Sequence, residues 1–111
     1  MKIIITESQR NLLWLQRRLH LYTPSIIDII REGHEYISPC DYNNENGYEE
    51  YLQEILYGSA ITFINGELYD WDFEESQYES IYKLVYHYMK ENFEDIIKER
   101  YDDEMELCNE D

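Results

Sequence analysis

The chain is poor in positive charge. Its 111 residues carry nine Lys and Arg against 25 Asp and Glu, a formal net charge of −16 at pH 7. Such an excess repels phosphates, so direct binding to nucleic acid or to an anionic membrane is not expected. Long apolar runs are lacking too, and nothing approaches the ~20 residues a membrane helix needs. In the opening MKIIITESQ only Ile3 to Ile5 are consecutively apolar, so no signal-peptide core is read there. Cysteine is limited to Cys40 and Cys108. Without a secretory signal the expectation is reduced thiols in a cytosol, with a single bridge left open. Four Gly and two Pro are few, and the apolar fraction of 43% is ordinary, which argues against disorder along the whole length.

Chemical motifs are scarce as well. There is no phosphate-binding glycine loop, no Gly-x-Ser-x-Gly elbow and no dinucleotide fingerprint. His34-Glu35 followed by Pro39-Cys40 fails as a zinc deaminase pattern, because it has no His-x-Glu and no Cys-x-x-Cys. No His or Cys pair has ligand spacing, so no metal site is expected. The stretch from Asp41 starts like a calcium loop, but its sixth and twelfth positions are Asn46 and Leu52 where Gly and Glu are needed. Nothing marks a carboxylate as buried or Cys40 as activated. The chain is therefore read as a protein without enzymatic activity and without a cofactor.

What is present is a charge imbalance along the chain. Residues 1–40 hold five bases and four acids, whereas residues 41–111 hold four bases and 21 acids. Tyrosine is abundant, with twelve copies. Those rings are either an amphipathic rim to the core or an adhesive protein-binding surface.

Length favours one domain. The fold is expected to be α+β, with a short N-terminal strand at Lys2 to Ile5, three to four helices and one antiparallel hairpin. Thr6 with Gln9 reads as a capping box for a first helix reaching about His20, with Leu12, Leu15 and Leu19 as its buried stripe. Thr23, Pro24 and Gly33 punctuate a second helix carrying Ile26, Ile27 and Ile30. Residues 34–47 read as a loop, with a short strand near Tyr36 and Ile37 as an option. A third helix spans about Tyr48 to Tyr57 and ends at Gly58. In AITFINGELYDW, Asn65-Gly66 between β-prone runs predicts a type I′ hairpin with strands near 60–64 and 67–72. The N-terminal strand can add to that hairpin as a three-stranded sheet packed on helices. From Glu75 onward Tyr78, Ile81, Tyr82, Val85, Met89, Phe93, Ile96 and Ile97 keep helical spacing, with Asn92 a point of interruption. Residues 1–101 form the domain, and 102–111 form an acidic tail that frays because like charges repel.

Two faces are candidate partner-binding sites. Arg10, Trp14, Arg17 and Arg18 share the side of the first helix opposite its leucines. They either pair with the protein's own acids, with Trp14 buried, or form a contact patch, since Trp and Arg are favoured at hot spots. The second candidate face is acidic: Asp70, Asp72, Glu74, Glu75, Glu91, Glu94, Asp95 and Glu99.

The opening KIIITESQ followed by LLWLQRRLHL resembles short uncharacterised acidic proteins of tailed bacteriophages. The resemblance covers about residues 2–21 and carries no catalytic residue. It implies a phage origin and a bacterial host cytoplasm, or else the virion. Together with the charge, this makes the expected role an inhibitor or modulator that mimics DNA. Its partner would be a host or phage protein with a basic, nucleic-acid-binding surface. The alternative is a structural or accessory subunit of a virion or other assembly.

Overall fold

The computed structural model describes residues 7–68 and 75–108, and within them every regular element is helical. Helix α1 spans Glu7–Arg18, and a 3₁₀ turn at Leu19–Tyr22 leads directly into α2, Thr23–Tyr36. A second 3₁₀ turn, Pro39–Tyr42, precedes α3, Gly47–Glu67. A third, Glu75–Gln77, opens α4, Tyr78–Cys108. At 31 residues, α4 is about 46 Å long.

This all-α architecture replaces the expected α+β fold. The expected strand at residues 2–5 and most of the second hairpin strand lie outside the described residues. The first hairpin strand is contradicted directly, because residues 60–64 lie in the fourth and fifth turns of α3. The hairpin needs φ > 0 at Asn65 and Gly66, and no described residue has positive φ. The run from Ala60 to Ile64 obeys a helical rule as well as a strand rule. Tyr51, Leu52, Ile55, Leu56, Ser59, Ala60, Phe63 and Ile64 recur at three-and-four spacing, and all are buried. A strand would have removed Ala60 and Ile64 from that continuous face. Packing therefore outweighs the β preference of Ile61, Thr62 and Phe63. Gly58, expected to end α3, sits inside it on the exposed side, with open space where a Cβ would be.

The other helices follow the sequence more closely. Leu15 and Leu19 are buried and Leu12 is partly so, as the leucine stripe requires. In α2 Ile26 and Ile30 are buried, with Pro24 in the first turn. Thr23 does not cap that helix; its hydroxyl donates to the carbonyl of His20. Gly33 does not end it either, and its Cα faces Ile55 and Ser59 of α3. Asn92 leaves α4 intact, because its amide donates to the carbonyl of Tyr88 one turn back, at 2.9 Å. The buried row of α4 is Ile81, Val85, Met89, Phe93 and Ile97. Such an i, i+4 ridge is the kind that packs into a neighbouring helix's grooves, here chiefly those of α3.

The C-terminal turns of α4 are held rather than frayed. The Tyr101 ring packs against Tyr48 and Tyr51, with centroids 5.4 Å apart in each case. Its hydroxyl donates to the carbonyl of Tyr42. About two turns further on, Cys108 is disulfide-bonded to Cys40 in the Pro39–Tyr42 turn, with 5.8 Å between Cα atoms. The expectation of two reduced thiols is thus overturned. Helix continues through 102–108, where fraying was expected, and residues 109–111 are not described.

Candidate partner-binding faces

Helical geometry sorts the acids of α4. At about 100° per residue, Glu91, Asp95, Glu99, Asp102 and Glu106 fall within one narrow arc, at spacings of four, four, three and four. All five side chains are exposed. They run about 22 Å along the helix, with one carboxylate every ~4.5–6 Å. Asp102 and Glu106 were not among the expected contacts. The sequence alone places them in a fraying tail, and continued helix brings them into line.

The remaining expected acids do not join this stripe. Glu94 points elsewhere on the helix and accepts a hydrogen bond from the Tyr48 hydroxyl at 3.2 Å. Burial, then the Glu94 charge and this bond, push the Tyr48 phenol well above its ordinary range. Glu94 is a packing residue first. Glu75 is exposed in the turn before α4, about four turns from Glu91. Asp70, Asp72 and Glu74 lie outside the described residues. Other exposed acids, Glu32 and Glu35 on α2 and Glu49, Glu50 and Glu54 on α3, form shorter sets.

The bases of α4 are mostly engaged within the helix. Lys83 pairs with Glu79 at 3.2 Å, Lys98 with Asp102 at 3.6 Å, and Arg100 with Glu104. Lys98 also sits over the Tyr48 ring, 4.7 Å from its centroid. These are the ion pairs among the described residues, and none crosses to α1. The basic face of α1 is therefore not docked on the acidic helix. Arg10, Arg17 and Arg18 are exposed, Trp14 is 42% exposed, and the Arg18 guanidinium lies 4.3 Å from the Trp14 ring centroid. Leu13 on α1 and Leu21 in the turn that follows are also exposed, giving this end of the chain a mixed apolar and basic surface.

One buried polar pair was not expected. His34 of α2 and Tyr51 of α3 are both buried, and the Tyr51 hydroxyl hydrogen-bonds to Nδ1 of His34. Burial, then the nearby Arg100 charge, lowers the His34 pKa to about 4, so the ring is neutral at pH 7. Burial raises the Tyr51 phenol. A cleft of about 390 Å³ opens beside His34, bordered by Arg31, Glu35, Glu99, Arg100 and Asp103. Opposite charges alternate around it, and among the described residues no group of three His, Cys, Asp or Glu side chains is placed to hold a metal ion.

Most tyrosines act as rim to the core. Tyr51 is fully buried, and Tyr22, Tyr42, Tyr48, Tyr82, Tyr86, Tyr88 and Tyr101 are packed against the core with part of each ring outside. Tyr36, Tyr57 and Tyr78 are exposed. No described helix is long and apolar enough to cross a membrane. Comparison with protein-family models, curated proteins and solved structures finds no match.

Proposed function

We propose that this chain is a non-enzymatic acidic binding protein whose α4 stripe occupies a basic, nucleic-acid-binding surface of another protein. The single observation that carries the reading is the alignment of Glu91, Asp95, Glu99, Asp102 and Glu106 on one exposed face. Duplex DNA carries one charge per about 1.7 Å of axis, or 3.4 Å per strand. The stripe is sparser than either. It supports a narrow rod of charge lying in a basic groove rather than a replica of a whole duplex. Binding of this kind is fast and salt-sensitive.

The sequence resemblance adds a phage-encoded modulator acting in a bacterial cytoplasm. The test is affinity capture from bacterial lysate at low and high salt, with duplex DNA as competitor. The wild-type chain is compared with the triple variant Asp95→Asn, Glu99→Gln, Asp102→Asn. The reading expects a basic protein that salt and DNA both release and that the variant fails to retain. A partner held unchanged in high salt, or equally by the variant, overturns it.

The Cys40–Cys108 bridge favours a second reading. Disulfides persist outside reducing cytosol, which suits a subunit of an assembled particle. In that role Leu13, Trp14 and Leu21, ringed by Arg10, Arg17 and Arg18, supply the contact surface. Mass spectrometry of purified virions decides this: abundant copies support assembly, and absence removes it.

A further inference from the structure

A second surface on the opposite half of α4 has a different chemistry. Tyr57 of α3 meets Tyr82 of α4 edge to face, with ring centroids 5.8 Å apart. Tyr82 meets Tyr86 at 5.9 Å with the planes tilted by 41°. These rings line a cleft of about 360 Å³, and Glu54 stands on its edge one turn before Tyr57. An adjoining depression of about 210 Å³ shares Tyr57 and Tyr82 and adds Tyr78 and Ile61. Tyr57 and Tyr78 are 54% and 41% exposed, so aromatic faces remain open to solvent. Lys83 also borders the cleft, but its ammonium is engaged by Glu79 at 3.2 Å.

We propose that this tyrosine cleft binds an arginine side chain presented by a basic peptide segment. Aromatic faces attract cations through the ring quadrupole. A guanidinium suits the site better than an ammonium. It is flat and weakly hydrated, it stacks on rings, and its fork of N–H groups can donate to a carboxylate such as Glu54 at the same time. The chain already seats its own cations this way, Arg18 over Trp14 and Lys98 over Tyr48. Charge complementarity points to the same class of occupant, since a net charge of −16 draws a basic segment and repels an anionic one. The cleft lies around residues 82–86 and the acid stripe over 91–106, so the two sites succeed or fail separately.

The probe is a short acetylated and amidated glycine peptide with a single central arginine. It is titrated into the isotopically labelled full chain at moderate salt and followed by NMR. Controls carry lysine, or citrulline, which keeps the shape and removes the charge. Shifts at the Tyr57, Tyr82 and Tyr86 rings are expected, with arginine tightest and citrulline weakest. Loss of one cation–ring contact in Tyr57→Ala should weaken binding about fivefold. Glu54→Gln should weaken it severalfold and reduce its salt dependence. Both positions are exposed, so the variants keep the fold. The stripe variant Asp95→Asn, Glu99→Gln should leave the arginine peptide's affinity within about twofold. Equal binding of citrulline, no effect of Tyr57→Ala, or shifts confined to residues 91–106 would overturn the proposal.

Discussion

Breaking the Cys40–Cys108 bridge should remove a large part of this protein's stability. The two residues are 68 apart in sequence. In the chain-entropy account, closing a loop of that length restricts the unfolded ensemble by about 15 cal/mol/K, or about 4 kcal/mol at 25 °C. Small domains are stable by only about 5–15 kcal/mol in total. The bridge reinforces a junction already made by the Tyr101 hydroxyl on the Tyr42 carbonyl and by the Tyr42–Tyr51 ring contact. Cys40 lies in a four-residue 3₁₀ turn, and Cys108 ends α4 beyond its last fully buried residue, Ile97. With a urea m-value of about 1.5 kcal/mol/M, the midpoint should fall by roughly 3 M in the Cys40→Ser, Cys108→Ser double variant. Reducing the wild-type protein should give the same shift. Thiol titration of the oxidised chain in denaturant should find none. If oxidised and reduced wild type unfold at the same urea concentration, the bridge does not constrain the unfolded chain and the reasoning fails.

Gly47→Ala should cost more than about 3 kcal/mol, because a Cβ there would stand 1.5 Å from the carbonyl oxygen of Tyr42. The matched control Gly58→Ala, where nothing lies within 4 Å, should instead gain about 0.5–1 kcal/mol from helix propensity, and paired thermal melts read both. The folded state lowers the His34 pKa from 6.5 to about 4, so the unfolded chain binds the extra proton. That stability is fully present above pH 6.5 and is lost as pH falls toward about 4, by about 3 kcal/mol at most. His34→Gln should flatten the slope of stability against pH in that window, and an unchanged slope would remove His34 as its source. Asp95→Asn should raise stability by up to about 1 kcal/mol, since it removes two like-charge i, i+4 pairs, with Glu91 and with Glu99. A destabilised variant in urea titration would mean that Asp95 has a structural partner.

Leucines at 12, 15 and 19, isoleucines at 26 and 30, and the row from Ile81 to Ile97 could be read from spacing alone, and they locate three of the four helices. Sequence alone cuts the third short, because Gly58 and Asn65-Gly66 are strong local punctuation. Local signals cannot register that Ala60, Phe63 and Ile64 extend a face begun at Tyr51. That face matters only once α4 lies against it. The same limit hid the ends of the acid stripe. Read locally, the segment from Tyr101 onward is a run of like charges. In three dimensions Tyr101 packs on Tyr48 and Tyr51, and Cys108 is tied back to the turn before α3. These long-range contacts give the segment enough partners to stay helical. Spacing puts Tyr51 on the apolar face of α3, but nothing in the sequence pairs it with His34, since that contact depends on how α2 crosses α3.

The proposed binding role rests on the stripe having no evident value to the fold. The i, i+4 neighbours Glu91–Asp95 and Asp95–Glu99, and the pair Asp102–Glu106, each place like charges on adjacent turns, at a cost of about 0.2–0.5 kcal/mol per pair. Among the described residues only Asp102 of the stripe has a cation against it, from Lys98 at 3.6 Å, and exposed pairs of that kind contribute about 0–1 kcal/mol. The acids of the stripe also crowd the C-terminal half of α4, the end where the helix dipole favours cations. Solubility would be served equally well by the same carboxylates spread around the exposed surface, where they would repel one another less. Folding offsets the penalty by holding the segment with the tyrosine cluster and the disulfide. On the proposed reading, a helix continued through a charge row that works against it presents those carboxylates to a basic partner in one register.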